Sequence, residues 1–357
     1  PRPMSMVAKA TIVDINRQSW TSSSSIVVHP SNYYVGMKTD RYFVKRGVPL
    51  KVSVIVSDLD GNLVKGAGAQ LEAVRLEHKW KRDESGQWKM ETKRKDPQTC
   101  TLTSGTKAGI CEFKTKVGGK YEIVAKVKDG NGRSNQSRMM RWVSGAKAPA
   151  TRKIEQEQVM LIPDKKVYEP GDVAEILIQS PIQSAEGLVT IRRGGLLSKE
   201  RIQLKGSSHV VKIPISVEHI PNLAVQVNLV GTSDRVDKDG KKDTTLPPRP
   251  AFAKGFLSLT VSKAQHALTV TVEPEKSELE PGGQTKVRVT LTGADGKPVK
   301  NGEAVLIVVD EAILALTGYS LRNPLDVFYP NWDTRTQDNH VRSFVWLADP
   351  DALRKAS

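Results

Sequence analysis

The two cysteines, Cys100 and Cys111, carry the most reactive side chains in this chain of 357 residues. Two thiols alone make a poor zinc site, and their spacing does not fit a redox Cys-x-x-Cys motif. The residues between them form a polar, glycine-containing loop with strand-like ends. This pattern favours a hairpin whose strands are joined by one disulfide, with a reactive thiol as the alternative. Such a disulfide would add about 2–3 kcal/mol of stability and indicates an extracytoplasmic compartment.

Other residue types with catalytic potential form no constellation. Asp310 and Glu311 could act as a base or bind a cation, but Asp310 lies where a helix N-cap belongs and Glu311 suits a first turn. No Gly-x-Ser-x-Gly, Walker or His-Glu-x-x-His motif occurs. The sequence therefore predicts no enzyme, no cofactor, no metal site and no small-molecule substrate. The histidines are scattered along the chain: His29, His78, His209, His219, His266 and His340.

The net charge of +15 raises the question of a nucleic-acid partner. Basic residues concentrate between Arg75 and Lys95, in a predicted loop-like insertion (80–95) that also holds Asp83, Glu84 and Glu91. No nucleic-acid-binding motif accompanies them, so we interpret them as a solvated surface and predict no nucleic-acid partner.

The bulk composition is that of a chain with several modest cores. Hydrophobic residues make up 38% and the mean hydropathy is −0.38. No apolar run reaches the roughly 18 residues that a membrane span needs. The chain starts Pro1-Arg2-Pro3 without a signal peptide, so we expect it to be part of a longer protein.

A short pattern occurs three times, at 40–47, 164–171 and 275–282. Each copy begins with charged residues, continues with a short apolar stretch and ends in a turn glycine, and an alternating strand follows. The turn glycines Gly47, Gly171 and Gly282 lie roughly 110 to 125 residues apart, which matches the size of one small domain. The chain is therefore predicted to be a row of similar β-domains.

Four segments follow from this repeat. Residues 1–30 are the last strands of a truncated preceding domain, 31–146 a sandwich containing the disulfide, 153–263 a second sandwich, and 266–357 a partial domain. The partial domain has a predicted strand at Val305–Asp310 and a short helix at 311–318 that ends at Gly318. A linker is predicted at 144–151 and a long exposed loop at 232–249. The fold class is all-β, with tandem antiparallel β-sandwiches of fibronectin-III-like type.

One segment carries a more specific resemblance. It runs from Val305 to Tyr319, reading VLIVVDEAILALTGY, and continues NPLDVFYP from Asn323 to Pro330. It resembles bacterial α2-macroglobulins at the macroglobulin domain that carries the bait region. Residues 31–36, 141–145 and 161–166 are similar to domain junctions of the same family, so the resemblance covers essentially the whole chain.

The resemblance implies the scaffold of a broad-spectrum protease inhibitor. In this family a protease cleaves the bait, the molecule rearranges and the protease is enclosed. Many members then bond to the protease through a Cys-x-x-Gln thioester in a separate helical domain. Here Cys100 is followed by Thr-Leu-Thr and Cys111 by Glu-Phe-Lys, so neither forms that motif. The implied partners are target proteases and the rest of the parent chain, including a possible thioester domain.

The bait is predicted between Trp332 and Ser357, because a protease needs a segment that is locally unstable. The alternative is that Val341–Ala348 forms a strand of the last domain and the bait begins beyond Ser357. The candidate cleavage residues are Arg335, Arg342, Arg354 and Lys355 for trypsin-like enzymes, and Phe344, Trp346 and Leu347 for chymotrypsin-like ones.

A second function stays open beside the protease trap. The chain could be a structural or adhesive array of β-sandwiches from a bacterial surface protein, with the stretch after Pro330 as a linker. In either case we expect an extracytoplasmic location, in the periplasm or cell envelope, with a lipid anchor as one option for the full-length protein.

Overall fold

The chain is built almost entirely of β-strands. The computed structural model describes residues 2–82, 85, 87–146, 157–235, 242–276, 278–280, 282–309, 313, 316–319, 322–338 and 352. Most strand pairs are antiparallel, and the exceptions are three short parallel pairs. The all-β prediction, with several packed sheets and few helices, is confirmed.

The chain begins with a hairpin of two ten-residue strands, β1 (Met4–Val13) and β2 (Ser19–Val28). Met4 pairs with Val28 and Val13 with Ser19. Every residue of both strands is exposed. The hairpin thus buries neither face within the described residues, and its assignment to a preceding domain stays a prediction.

Two sheets form the first sandwich, which spans 34–143. The three-stranded sheet has the order β3-β5-β8, and the five-stranded sheet the order β4-β10-β9-β6-β7. In β5 alternate residues are buried, from Leu50 to Val56, because one face of the sheet packs on the core. The strands are β3 (Tyr34–Lys38), β4 (Phe43–Val44), β5 (Leu50–Ser57), β6 (Gly68–Arg82), β7 (Trp88–Thr103), β8 (Gly109–Phe113), β9 (Gly119–Lys128) and β10 (Ser134–Val143).

The disulfide between Cys100 and Cys111 is present, with a Cα–Cα distance of 6.0 Å. Its placement differs from the predicted hairpin. Cys100 lies on β7 of the five-stranded sheet and Cys111 on β8 of the three-stranded sheet. The chain crosses from one sheet to the other between the two cysteines, so the disulfide joins the two layers of the sandwich.

The loop predicted at 80–95 is wrong where the structure describes it. β6 pairs with β9 as far as Leu76, and with β7 as far as Arg82 opposite Trp88. The hairpin therefore extends beyond the sheet as a two-stranded ribbon. Opposite charges such as Glu77 and Lys93 face each other across it, and such pairs stabilise strands without a buried apolar face. High charge density hid this strand pattern in the sequence.

The second sandwich spans 157–261 and pairs a six-stranded sheet with a three-stranded one. The larger sheet has the order β11-β19-β18-β15-β16, with β13 also on β19, and the smaller has the order β12-β14-β17. The strands are β11 (Glu157–Gln158), β12 (Met160–Pro163), β13 (Val167–Tyr168), β14 (Val173–Gln179), β15 (Ser184–Arg192), β16 (Leu196–Lys205), β17 (Ser208–Pro214), β18 (Asn222–Ser233) and β19 (Arg249–Val261). Short 3-10 helices lie at Val217–His219 and Ala264–His266.

The repeated pattern occupies equivalent places in the two sandwiches. Gly47 and Gly171 have φ angles of 90° and 97°, a left-handed conformation that favours glycine. The strand before each glycine, β4 or β13, pairs in parallel with the last strand of its own sandwich, β10 or β19. Gly282 has the same conformation, with φ 82°. The sequence repeat is thus a structural repeat in the two sandwiches.

The last unit contains a hairpin of β20 (Thr269–Pro274) and β21 (Val287–Thr292). The predicted strand at Val305–Asp310 is wrong for its described residues 305–309, which are exposed and pair with no strand among the described residues. An apolar sequence becomes a strand only when a sheet edge is beside it. Ile313, Leu316 and Thr317 are helical and Gly318 has φ 59°, as predicted. Helix α1 (Pro324–Phe328) follows.

The two sandwiches share a small apolar interface. Phe43 packs with Ile162 and Leu177, with Tyr42, Trp142 and Val210 around them. The backbone N–H of Tyr42 donates to the Asp164 carbonyl at 2.9 Å, and Arg41 forms an ion pair with Glu175. The domain boundaries at 30, 146, 153, 263 and 266 stay predictions.

Candidate functional site

The candidate site lies on the outer face of the six-stranded sheet. Along β15, Val189 and Ile191 point into the core, so Thr190 and Arg192 belong to the opposite face. Both are nevertheless buried, with exposures of 3% and 7%. Arg192 Nε donates to Thr190 Oγ1 at 2.9 Å. The residues that contact this end of the sheet are 332–338, which we call the docked segment.

Trp332 begins the docked segment and is held by the first residue of β18. The Trp332 backbone N–H donates to Asn222 Oδ1 at 2.8 Å, and Asn222 Nδ2 donates to the Trp332 carbonyl at 3.1 Å. The Asn222 side-chain amide thereby replaces a backbone partner. The Arg193 guanidinium lies over the indole ring, 4.7 Å from its centroid.

Asp338 ends the docked segment with a bidentate ion pair. Its two carboxylate oxygens accept from Arg192 Nη2 at 2.6 Å and Nη1 at 3.1 Å. Lys254 Nζ on β19 adds a contact at 3.3 Å. Arg192 hydrogen bonds hold the pKa of Asp338 well below its usual range, although burial opposes this effect. Asp338 is therefore ionised across the physiological pH range.

Between these ends the segment runs along the second sandwich, with a left-handed residue, Arg335, in its middle. The Gly194 N–H donates to the Asp333 carbonyl at 2.8 Å, and Arg192 Nη1 donates to Thr336 Oγ1 at 3.0 Å. Thr334, Thr336 and Asp338 are half-buried, whereas the alternate residues are exposed. The contacts thus follow the strand-like alternation of the segment.

The chain just before the docked segment also contacts the second sandwich. Tyr329 packs against its core and stacks on His266, with ring centroids 4.6 Å apart. Lys263 Nζ pairs with Asp326 at 2.9 Å. Asn323 caps α1 through a hydrogen bond from the Leu325 N–H. The route from α1 to Asp338 therefore contacts the second sandwich and the turn after it at Asp326 and Tyr329, before the docked segment begins.

Of the candidate cleavage residues, only Arg335 lies among the described residues. It is exposed, has a φ of 48°, and its guanidinium carbon is 6.0 Å from the Trp332 ring centroid. Arg342, Phe344, Trp346, Leu347, Arg354 and Lys355 lie outside the described residues, as do Asp310 and Glu311. Their predicted roles, and that of Arg335, stay predictions.

Sequence reasoning missed the residues that hold the segment: Arg192, Asn222, Lys254 and Asp338. The one available signal was Arg192-Arg193-Gly194-Gly195 at the end of an otherwise alternating strand. A charged residue on the outer face of a strand is usually solvated, so only its burial distinguishes Arg192.

Two kinds of feature, a metal-ligand cluster and a long apolar helix, are absent from the part of the chain that the structure describes. No cluster of three or more His, Cys, Asp or Glu residues there is arranged to hold a metal ion. No helix among the same residues is long and apolar enough to cross a membrane. The predicted absence of a metal stays a prediction.

Tandem β-sandwiches with an extended segment held on one of them define a multidomain β-scaffold. Residues 159–316 match the family model of the "Alpha-2-macroglobulin bait region domain". The chain is 26% identical over 361 residues to an alpha-2-macroglobulin homolog of Nostoc sp., which covers 99% of this chain and 18% of the relative. It is 23% identical over 336 residues to a homolog of Yersinia pestis, covering 92% and 16%. These matches confirm the resemblance to the bacterial alpha-2-macroglobulins.

The chain is also similar to a solved structure, and this likeness carries no argument. It is the cryo-EM reconstruction of native E. coli alpha-2-macroglobulin, with 18% identity, coverage of 99% of this chain and 23% of that one, and a TM-score of 0.35. The chain spans less than a fifth of the length of the two curated relatives. The family match ends at residue 316, so it does not test the cleavable bonds predicted after Trp332.

Proposed function

We propose that the chain is the scaffold part of a broad-spectrum protease trap, in which the residues after Asp338 are the bait. The observation that carries this proposal is the attachment of the chain up to Asp338 on the second sandwich, directly before a stretch rich in cleavable residues. A trap needs a cleavable stretch next to a segment that is held in place, because a protease cuts most rapidly where a chain can open locally. The partners are then target proteases, engaged through the bait.

The chemistry of capture must come from elsewhere in the parent protein. Both cysteines of the chain are joined in a disulfide, and no free cysteine remains. Neither can form a thioester, so covalent bonding would require another part of the parent chain. We propose accordingly that this chain is not an enzyme and works without a cofactor.

We further propose an extracytoplasmic location. The supporting observation is the disulfide that joins the two layers of the first sandwich, since disulfides persist in oxidising compartments. The four predicted segments, 1–30, 31–146, 153–263 and 266–357, are proposed as the successive macroglobulin-like units.

Limited proteolysis of the full chain tests the proposal. Trypsin and chymotrypsin should both make their first cuts between 339 and 357, as mapped by mass spectrometry, and leave both sandwiches intact. Trypsin has further targets at Lys147 in the predicted linker 144–151 and at Arg152 directly after it, but the linker contains no aromatic residue for chymotrypsin. The bait proposal would be contradicted, and the adhesive array favoured, if chymotrypsin cut first near Trp88 at the hairpin tip or at other connections between strands.

A further inference from the structure

We propose that Arg192, Asn222 and Lys254 form an anchor that fixes the N-terminal limit of the cleavable tether at Asp338. The inference rests on the proposed function and makes it more specific. It assigns positioning roles to three side chains of the second sandwich. It also predicts that the peptide bond after Arg335 is protected from proteolysis.

The first argument is the charge of the anchor. The Arg192 side chain is only 8% exposed, and that of Asp338 is 17% exposed. A buried guanidinium is costly unless a carboxylate pairs with it, so the sheet surface is incomplete without Asp338. Bidentate geometry also fixes the direction of the segment, because two parallel N–H···O bonds hold the carboxylate in one plane.

The second argument is that the sheet is shaped for the segment at its other end. Asn222 is 8% exposed, and both polar groups of its amide bond to the Trp332 backbone. A Cβ at Gly194 would lie 3.0 Å from Trp332 Cε3, and Gly194 has φ 60°. Glycine therefore serves two purposes here, a left-handed turn and room for the indole ring.

These contacts determine which bonds a protease can reach. Cleavage after Arg335 requires several residues on each side to leave the sheet and extend into the protease. Asp333 lies two residues before Arg335 and Asp338 three residues after it, and both are bonded to the sheet. The docked segment is thus held on both sides of Arg335. Bonds beyond Asp338 have no such restraint from the anchor, and after their cleavage the stub up to Asp338 stays on the second sandwich.

The test compares tryptic cleavage rates at Arg335 in the full chain and in Asp338→Asn. The substitution keeps the shape of the side chain and removes its charge. Loss of the charge-assisted pair should raise the rate at Arg335 roughly ten- to a hundredfold, because the segment opens more often. Arg192→Gln should have the same effect. Glu112→Gln, which removes an exposed ion pair with Lys51 on the first sandwich, is the matched control and should leave the rate unchanged.

Rapid cutting of the wild type at Arg335, or an unchanged rate in Asp338→Asn, would overturn the anchor. A failure of the proposed function can be distinguished from a failure of the anchor. If the proposed function is wrong, the first cuts in the wild type will fall outside 339–357. The ratio of the Arg335 rates still decides the anchor in that case. Since Asp338 lies on the docked segment and not in a strand of the sandwich, its substitution tests the anchor even if Arg192→Gln unfolds the sheet.

Discussion

Single buried carboxylates organise the turns and attachments of this protein. Asp129, at the turn between β9 and β10, accepts hydrogen bonds from the backbone N–H groups of Asn32, Asn131 and Arg133. It also forms an ion pair with the Arg133 side chain at 2.9 Å. These hydrogen bonds, that of Asn32 first, lower the pKa of Asp129 to about 2. The same principle holds Asp338 on the second sandwich, where the partner is Arg192.

The Asp129 carboxylate should make the first sandwich sensitive to acid. Its pKa is depressed in the folded state, so its stabilisation is fully present above the ordinary Asp pKa and is lost as the pH falls towards 2. We expect Asp129→Asn to lower the melting temperature at pH 7 and to reduce the loss of stability between pH 4 and pH 2. Thermal unfolding followed by circular dichroism measures both effects. An Asp129→Asn curve parallel to the wild type below pH 4 would contradict this role.

At the scale of elements, the connection between β7 and β8 determines how the first sandwich closes. The two strands belong to different sheets, and the disulfide between Cys100 and Cys111 joins them. Cys111 and Phe113 on β8 are both buried in the sandwich core. The disulfide therefore lies at the contact between the two sheets of the sandwich, where core packing also holds the strands together.

Removing the disulfide should destabilise the first sandwich directly, and the second only through the interface that the two sandwiches share. We expect the double substitution Cys100→Ala and Cys111→Ala to cost about 2–3 kcal/mol, because a short loop is no longer closed in the unfolded chain. Urea unfolding with and without reductant measures this cost. The wild type under reducing conditions should approach the variant, while the variant itself should not respond to reductant. A variant that unfolds at the same urea concentration as the oxidised wild type would contradict this role of the disulfide.

At the scale of the whole molecule, the two sandwiches are coupled through a small shared core. Phe43 is 1% exposed and packs on Ile162 and Leu177 of the second sandwich. The Tyr42–Asp164 hydrogen bond and the Arg41–Glu175 ion pair flank it. Because the anchor is on the second sandwich, this interface connects the docked segment to the rest of the scaffold.

Truncation of Phe43 should uncouple the sandwiches. Phe43→Ala removes a buried aromatic ring and should cost about 3–5 kcal/mol, with a loss of cooperativity between the two units. Differential scanning calorimetry should then resolve two transitions, where the wild type shows a shared one. Phe113→Ala, inside the core of the first sandwich, is the control and should lower the transition of that unit. Coincident transitions in Phe43→Ala would show that the interface does not couple the units.

The sequence alone predicted the all-β class, the repeated turn-glycine pattern and the resemblance to bacterial alpha-2-macroglobulins. These predictions rest on local properties of the sequence, which can be interpreted without knowing the tertiary contacts. The properties are the alternation along strands such as β5, turn glycines such as Gly47 and Gly171, and the 305–330 segment. The ribbon at 77–93 and the unpaired residues 305–309 were predicted wrongly because strand formation depends on a neighbouring edge.

Only the tertiary structure determined the layer that each cysteine joins and the place where the chain is held, which lies within the bait predicted from the sequence and directly before the bait proposed from the structure. Arg192 and Asp338 are 146 residues apart in sequence, and nothing in either neighbourhood indicates the other. Whether a charged side chain is buried depends on the residues that pack over it in the folded protein. The pairing therefore becomes visible only when the chain returns across the sheet and the two charges meet away from water.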